Sequence, residues 1–330
     1  MSYNVYFKRI FLRQTYIKLT YAMKGGKQAI HKNKLLAVVY LWRGLLLLGK
    51  WLPAAINILL KRKIYIPNIG ISLTTRCTLK CQHCDHYIPT IEEQYHEMLS
   101  FDSFKIQLDN LLVNVEKLFE FRLLGGEPLL NKDAARMLLY SLEHPKIERV
   151  ELVTNGTLDI SDEIVNILKQ FSKKSSVYVS NYMANKALMP LLKTDNIVEK
   201  LVVNGITLNF HKDLLWSKTE QIQRHYRSEA MNKCYFMECL KLTHCMHIRG
   251  GKLFACPRAA TFSLRDLYQR FFPPAPELNE NKEYIDLAKP VEKWQFFEFL
   301  GNDFFNACDY CSNVSEVKGE QVTPALQCKQ

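Results

Sequence analysis

An α/β architecture built on a parallel sheet is the fold this sequence predicts, from three observations. Apolar, strand-like runs at 69–75, 119–124, 149–154, 176–181 and 200–203 alternate with segments of helical period. Short polar or glycine-bearing turns follow these runs, at 74–84, 125–128, 155–156 and 180–182. At 330 residues the chain is long enough for one barrel-like domain with a small appendix.

Each element has a local cause. The segment 101–118 places Phe and Leu near a 3.6 period, and Ser100 with Asp102 and Ser103 offers a helix start. A second helix is expected over 132–142, stopping before Pro145. A third is expected over 161–171, with Ser161 or Asp162 as cap and Glu163 in its first turn. A short fourth, 185–192, is cut down by Pro190. Strand–helix alternation implies parallel strands, and ligands of such sheets gather at the strands' carboxyl ends, where the polar turns fall.

The first of those turns carries Cys77, Cys81 and Cys84, a CxxxCxxC triplet. Three clustered thiolates select iron–sulfur or zinc over hard cations, and three ligands leave one position open, as a catalytic metal site does. Gly125-Gly126-Glu127-Pro128 follows the second run. Its glycines remove side chains where a ligand approaches backbone, Glu127 offers a carboxylate to an ammonium, and Pro128 ends the ladder. Val153-Thr154-Asn155-Gly156-Thr157 closes the third run.

Charge is uneven. Residues 1–63 hold thirteen Lys or Arg and no acid, the first acid being Asp85, so most of the net charge of +11 belongs to this arm. The arm is also apolar at 35–42, 44–49 and 51–60, but Arg43 and Lys50 interrupt what would otherwise approach a spanning helix. It lacks the pattern of a cleaved signal peptide. Two readings stand: a basic helix lying on an anionic membrane surface, or an extension packed on the outside of the barrel. Nucleic acid is not an expected partner, because the aromatics sit within leucine runs. Ten cysteines without a secretory signal point to a reducing, cytoplasmic compartment, with peripheral attachment to the membrane's inner face under the first reading.

The last third has a second cysteine group. Gly250-Gly251 reads as the turn of a hairpin whose ends bring Cys245 and Cys256 together, and Cys308 and Cys311 form a CxxC. Four thiolates close a shell for zinc or for a second four-iron cluster, and Cys239 is an alternative to Cys245. Cys234 and Cys328 have no assigned place. His244 and His247 flank Cys245 as candidate ligands or acid–base groups; His211 and His225 rank below them. Arg258 is a candidate contact for an anionic substrate.

Residues 69–157 resemble the radical S-adenosylmethionine (SAM) superfamily in the triplet, the Gly-Gly-Glu-Pro element and the Thr-Asn-Gly element, in that order. His83 stands where that family usually has Phe, Tyr or Trp, and its imidazole is expected to stack on adenine. The resemblance implies an open partial (β/α)6 TIM-like barrel. It implies a 4Fe–4S cluster on Cys77, Cys81 and Cys84, and SAM held by Gly125, Gly126, Glu127, Asn155, Ser180 and His83. The element running from Gly251 to Cys256, with the later CxxC, resembles the auxiliary-cluster domain in its shorter twitch form, related to SPASM. No cysteine occurs in 312–327, which leaves one auxiliary 4Fe–4S cluster, on Cys245, Cys256, Cys308 and Cys311. The implied division is an N-terminal extension at 1–65, a barrel at 66–230 and an auxiliary-cluster domain at 231–330.

The activity implied is reductive cleavage of SAM to a 5′-deoxyadenosyl radical that takes a hydrogen atom from substrate. A flavodoxin or ferredoxin would serve as low-potential reductant. The expected outcome is oxidation or epimerisation of a carbohydrate or lipid-linked small molecule. Competing readings are a peptide-modifying maturase and, in a different class, a non-catalytic iron–sulfur electron carrier or membrane-recruited assembly factor.

Overall fold

The computed structural model describes residues 49, 52–54, 56–58, 60–210, 215–219, 223–239, 246–262, 280, 282–311 and 320–328. In chain order its strands are β1 (Ile64–Ile66), β2 (Ile69–Thr74), β3 (Val115–Leu118), β4 (Phe121–Gly125), β5 (Val150–Thr154), β6 (Ser175–Val179), β7 (Leu208–Phe210), β8 (Trp216–Ser217), β9 (Met246–Arg249), β10 (Lys252–Phe254), β11 (Tyr284–Asp286) and β12 (Gln321–Val322). The centre is an eight-stranded sheet in the spatial order β11-β10-β9-β2-β4-β5-β6-β7. Strands β2, β4, β5, β6 and β7 are mutually parallel, and β9 is parallel to β2. Six parallel strands therefore form the open barrel wall, with β9 beside the first of them. The antiparallel pairs β9–β10 and β10–β11 extend the edge. The hairpin read at Gly250-Gly251 is present, both glycines having positive φ.

Four helices pack on this wall: α1 (Phe101–Asn114), α2 (Ala134–Glu143), α3 (Asp162–Gln170) and α4 (Thr194–Val203). Ser100 and Ser161 cap α1 and α3, accepting from the amides of Ser103 and Ile164. The apolar faces follow the helical period. Phe104, Leu108 and Leu111 of α1 are fully buried in one core with Ile69, Ile71 and Phe121. Beyond the wall lie α5 (Glu229–Glu238), α6 (Pro257–Phe262) and α7 (Lys293–Leu300).

Three expectations are corrected. The helix expected over 101–118 ends at Asn114, and β3 follows, paired in parallel with β1. A tertiary partner, with β-branched Val115 as the turning point, outweighs the helical period there. The run 200–203 is the last turn of α4, not a strand. Ile197 and Leu201 are buried one turn apart, while Val202 and Val203 are 62% and 78% exposed. The fifth parallel strand in chain order is β7 instead. The segment 185–192 forms a 3-10 helix, Lys186–Leu191, with Pro190 inside it.

The end of the N-terminal arm is helical at the described positions from 52 to 61. Ile58 and Ala54 lie in the main core, and Asn57 Nδ2 donates to the Tyr65 hydroxyl at 3.0 Å. Residues 1–48 fall outside the described residues. No helix among the described residues is long and apolar enough to cross a membrane.

Candidate active site

A cavity of about 520 Å³ opens at the carboxyl ends of the parallel strands. Cys77, Cys81 and Cys84 line it, with Gly125, Gly126, Asn155 and Ser180 from the next three strand ends. The predicted strand-end turns therefore converge on one mouth, as parallel-sheet topology requires.

Backbone bonds hold the thiol loop to β4. The Gly126 amide donates to the Thr74 carbonyl at 2.8 Å and the Glu127 amide to the Arg76 carbonyl at 2.9 Å. A Cβ on Gly126 would lie 2.1 Å from the Arg76 oxygen, so only glycine lets the two turns approach this closely. The Asn155 side chain donates to Cys77 Sγ at 3.5 Å and to Thr78 Oγ1 at 2.9 Å. The third strand end thus also reaches the loop.

Glu127 is fully buried. Its Oε1 accepts from Thr154 Oγ1 at 2.9 Å and the Leu129 amide at 3.1 Å, and its Oε2 from the Asn155 amide at 2.8 Å. Burial pushes its carboxyl up to about 7 against these donors. Glu127 does not itself line the cavity; it lies behind the wall formed by Gly126, Thr154 and Asn155, which do.

Burial likewise raises the Cys77 thiol, lifts Cys84 to about 11 and, with repulsion from Cys84 and Cys77, lifts Cys81 to about 12. Such thiols stay protonated until a metal displaces the protons. Among the described residues no three His, Cys, Asp or Glu side chains close on a single metal ion. The donor set itself fits an iron–sulfur cluster: one buried and two half-buried thiols that repel one another, with N–H groups of Leu79, Asn155 and Gln327 aimed at sulfur.

Two parts of the site were not placed from sequence, although His247 was among its candidate histidines. One is a C-terminal strap. The Cys328 amide donates to the Lys80 carbonyl and the Gln82 amide to the Leu326 carbonyl, both at 2.7 Å. Gln327 Oε1 accepts from the Lys80 amide at 2.7 Å, while its Nε2 points to Cys81 Sγ at 3.7 Å. Cys328, without a place in the sequence reading, adds to the repulsion on Cys81. The other part is the inner wall. His247 is buried beside Ser72 (2.7 Å) and edge-on to His86 (ring centroids 5.0 Å apart), and burial holds its imidazole neutral. Gly70 makes room for it, since a Cβ there would stand 3.1 Å from His247 Nδ1.

The remaining expected residues fall as follows. His83 does not line the cavity; its Nδ1 faces the Thr219 carbonyl at 3.2 Å. Ser180 lines the cavity and hydrogen-bonds Tyr182. Cys245 and His244 lie outside the described residues, as does His211. Cys256, Cys308 and Cys311 are brought together. Burial lifts the Cys256 thiol to about 12 and Cys308 well above the ordinary thiol value, with Cys311 and Cys239 adding repulsion to both. Cys239 therefore stands as the fourth thiol of this set among the described residues, while Cys234 is exposed. Arg258 is turned inward onto Asp85 and Cys311, so its fork is already engaged.

An open parallel sheet with a thiol-rich, carboxylate-backed cavity at its carboxyl end is the architecture of a cofactor-dependent partial-barrel enzyme. Residues 71–193 match the family model of the radical SAM superfamily, and over them the chain carries a radical SAM domain, whose cofactors are a 4Fe–4S cluster and SAM. The GTP 3′,8-cyclase of Syntrophomonas wolfei is 31% identical over 100 residues, covering 30% of this chain and 29% of that protein. The GTP 3′,8-cyclase of Clostridium perfringens is 24% identical over 200 residues, covering 57% and 58%. The Fe-coproporphyrin III synthase of Methanosarcina barkeri is 34% identical over 104 residues, covering 32% and 24%. The chain thus spans less than two thirds of the length of each of these relatives. Among solved structures, BtrN in complex with AdoMet and 2-DOIA matches with a TM-score of 0.47 at 14% identity, covering 80% of this chain and 100% of that one. Native anSMEcpe with bound AdoMet matches with a TM-score of 0.36 at 19% identity, covering 45% and 44%.

Proposed function

We propose that this chain is a radical SAM enzyme that oxidises a small molecule, of carbohydrate or lipid-linked type, held between two metal sites. One observation carries the reading. The cavity lined by Cys77, Cys81 and Cys84 is also lined by Pro257, the residue after Cys256. A substrate in that cavity lies between the two thiol sets.

Cys77, Cys81 and Cys84 would hold the first cluster. When bound, that cluster and SAM supply an electron and a hydrogen-abstracting carbon radical. Glu127 would meet the ammonium of SAM as a carboxylate, releasing its proton to solvent. Gly125 and Gly126 let the cofactor lie against backbone, and Asn155 and Ser180 flank it. Cys256, Cys308 and Cys311, with Cys239 or Cys245, would hold an auxiliary cluster in a domain over 231–330. When loaded, such a cluster would supply an acceptor for the second electron of a two-electron oxidation. His86 and His247 line the wall where a hydroxyl proton would leave, with Ser72 bonded to His247.

Reconstituted protein given dithionite, SAM and a panel of polyols, aminosugars and lipid-linked sugars should release 5′-deoxyadenosine in proportion to substrate oxidised. GTP belongs in the same panel, because curated relatives are GTP 3′,8-cyclases. Turnover with GTP alone would replace the oxidation reading. No 5′-deoxyadenosine under conditions that reduce the cluster would leave the electron-carrier reading.

A membrane surface is the second proposal. Leu52, Ile56 and Leu60 share one helical face and are 62%, 46% and 78% exposed, next to Lys61, Arg62 and Lys63. Co-sedimentation with anionic vesicles, lost on Leu52→Ser/Leu60→Ser substitution, tests it. Equal pelleting of that variant would remove it.

A further inference from the structure

Arg258 is buried, and each end of its fork meets a different thiol set's surroundings. Nη1 donates to Cys311 Sγ at 3.0 Å. Nε and Nη2 donate to the same Asp85 oxygen at 3.3 and 3.2 Å. Asp85 directly follows Cys84. The guanidinium also stands 5.8 Å from the ring centre of Tyr87, two residues further along that loop. The Arg258 side chain is 8% exposed and that of Asp85 38%, so solvent reaches the Asp85 end of the bridge while the guanidinium itself is shielded.

The position is fixed from three directions. Arg258 occupies the first turn of α6, all of whose residues are buried. Thr261 Oγ1 of the same helix donates to the His86 carbonyl at 2.9 Å, tying α6 to the cysteine loop a second time. On the other side Cys311 is itself held, its amide donating to the Cys308 carbonyl at 3.2 Å. A fork of fixed shape thus spans the Cys308–Cys311 turn and the loop leaving Cys84. A lysine cannot reproduce that span.

We propose that Arg258 is a positioning residue that sets the reduction potential of the second thiol site and shares its charge with the loop of the first through Asp85. The inference rests on the reading of Cys256, Cys308 and Cys311 as ligands of an auxiliary cluster. A reduced cluster is the more negative state. A buried cation donating to one of its sulfurs favours that state and raises its potential. Asp85, bonded to the same cation, offsets part of that charge. The two residues therefore act with opposite sign on one quantity, which a purely structural role does not predict.

The test uses the full chain reconstituted anaerobically with iron and sulfide, with Cys77, Cys81 and Cys84 changed to Ala so that only the second site remains. Iron and sulfide counts come first, then a dithionite titration with mediator dyes, followed by electron paramagnetic resonance. Arg258→Gln should lower the potential by the equivalent of tenfold or more in the equilibrium with a mediator, about 59 mV for a one-electron couple. Asp85→Asn should raise it. In the Arg258→Gln background Asp85→Asn should still raise it, because the carboxylate acts through space on the same site. Arg258→Lys keeps the charge but not the fork and should fall between wild type and Gln. It carries the test if the Gln variant does not retain iron. Intact iron with an unmoved potential in both Arg258 variants overturns the inference, as does a shift of the same sign from Asp85→Asn. Absence of iron and sulfide at the second site before Arg258 is touched overturns the auxiliary-cluster reading itself, and the iron count tells the two failures apart.

Discussion

Buried Glu127 is a pH-dependent liability for the fold. Its carboxyl is raised from 4.5 to about 7 because burial penalises the charged form more than three donated hydrogen bonds favour it. A folded-state value above the unfolded one means the group supports folding when protonated. Its contribution is full below about 4.5 and lost as pH rises through about 7. At about 1.4 kcal/mol per unit, the cofactor-free protein gives up roughly 3 kcal/mol across that window through this group. Glu127→Gln removes the titration. The Gln amide nitrogen cannot accept from the Asn155 amide or from Thr154, so the variant also carries a pH-independent loss. The measurement is urea unfolding of both cofactor-free proteins from about pH 5 to about pH 8.5. Wild type minus variant should fall by about 1.4 kcal/mol per pH unit up to about pH 7 and then level off, a total approaching roughly 3 kcal/mol. Glu283, also raised by burial to about 7, cancels in that difference because both proteins keep it. SAM should stabilise wild type more at high pH than at low, and the Gln variant little at either, by titration calorimetry. A flat difference across the range, or equal SAM affinity in the two proteins, would refute the assignment.

Other substitutions read other parts of the site. Gly126→Ala puts a carbon 2.1 Å from the Arg76 oxygen. It should cost about 1–3 kcal/mol in urea and reduce iron retained by the first thiol set, since the loop must move. Cys77→Ala and Cys256→Ala should each remove about four irons per chain, and the double variant all of them, by anaerobic iron and sulfide analysis. A Cys256→Ala protein with full iron would remove the second cluster. Gln327→Leu keeps the strap's backbone bonds but deletes the donor to Cys81 and the acceptor for Lys80. It should lower the first cluster's reduction potential with little loss of iron, as seen in a dithionite titration. Ile58→Ala should destabilise by about 2–5 kcal/mol in urea, because Ile58 is wholly buried in the main core. An effect near zero would detach the arm's last turns from the fold.

Much of this was written in local pattern. Strand–helix alternation predicts parallel strands, parallel strands send their turns to one end, and those turns hold the triplet and Gly125-Gly126-Glu127. The hairpin at Gly250-Gly251 was equally local, since two positive-φ glycines between apolar pairs have few other uses. Where local pattern was ambiguous, long-range contact decided. Val115–Leu118 left its helix to pair with Ile64–Ile66, and Val202 and Val203 stayed helical because Ile197 and Leu201 anchor their turn in the core.

What the sequence determined by itself was the chemistry available: soft ligands at cluster spacing, one carboxylate after two glycines, and a charge-segregated arm. Those follow from residue type and from separations of a few positions. Only the tertiary structure decided which distant groups share a dielectric. It buried Glu127 against Thr154 and Asn155, laid Gln327 along Cys81, put His247 behind Gly70, and turned Arg258 from a candidate anion contact into a bridge from Asp85 to Cys311. The physical reason is that burial and electrostatic partnership act through space. Residues 85 and 311 are far apart along the chain and meet only once β9 docks beside β2 and carries α6 to the cysteine loop.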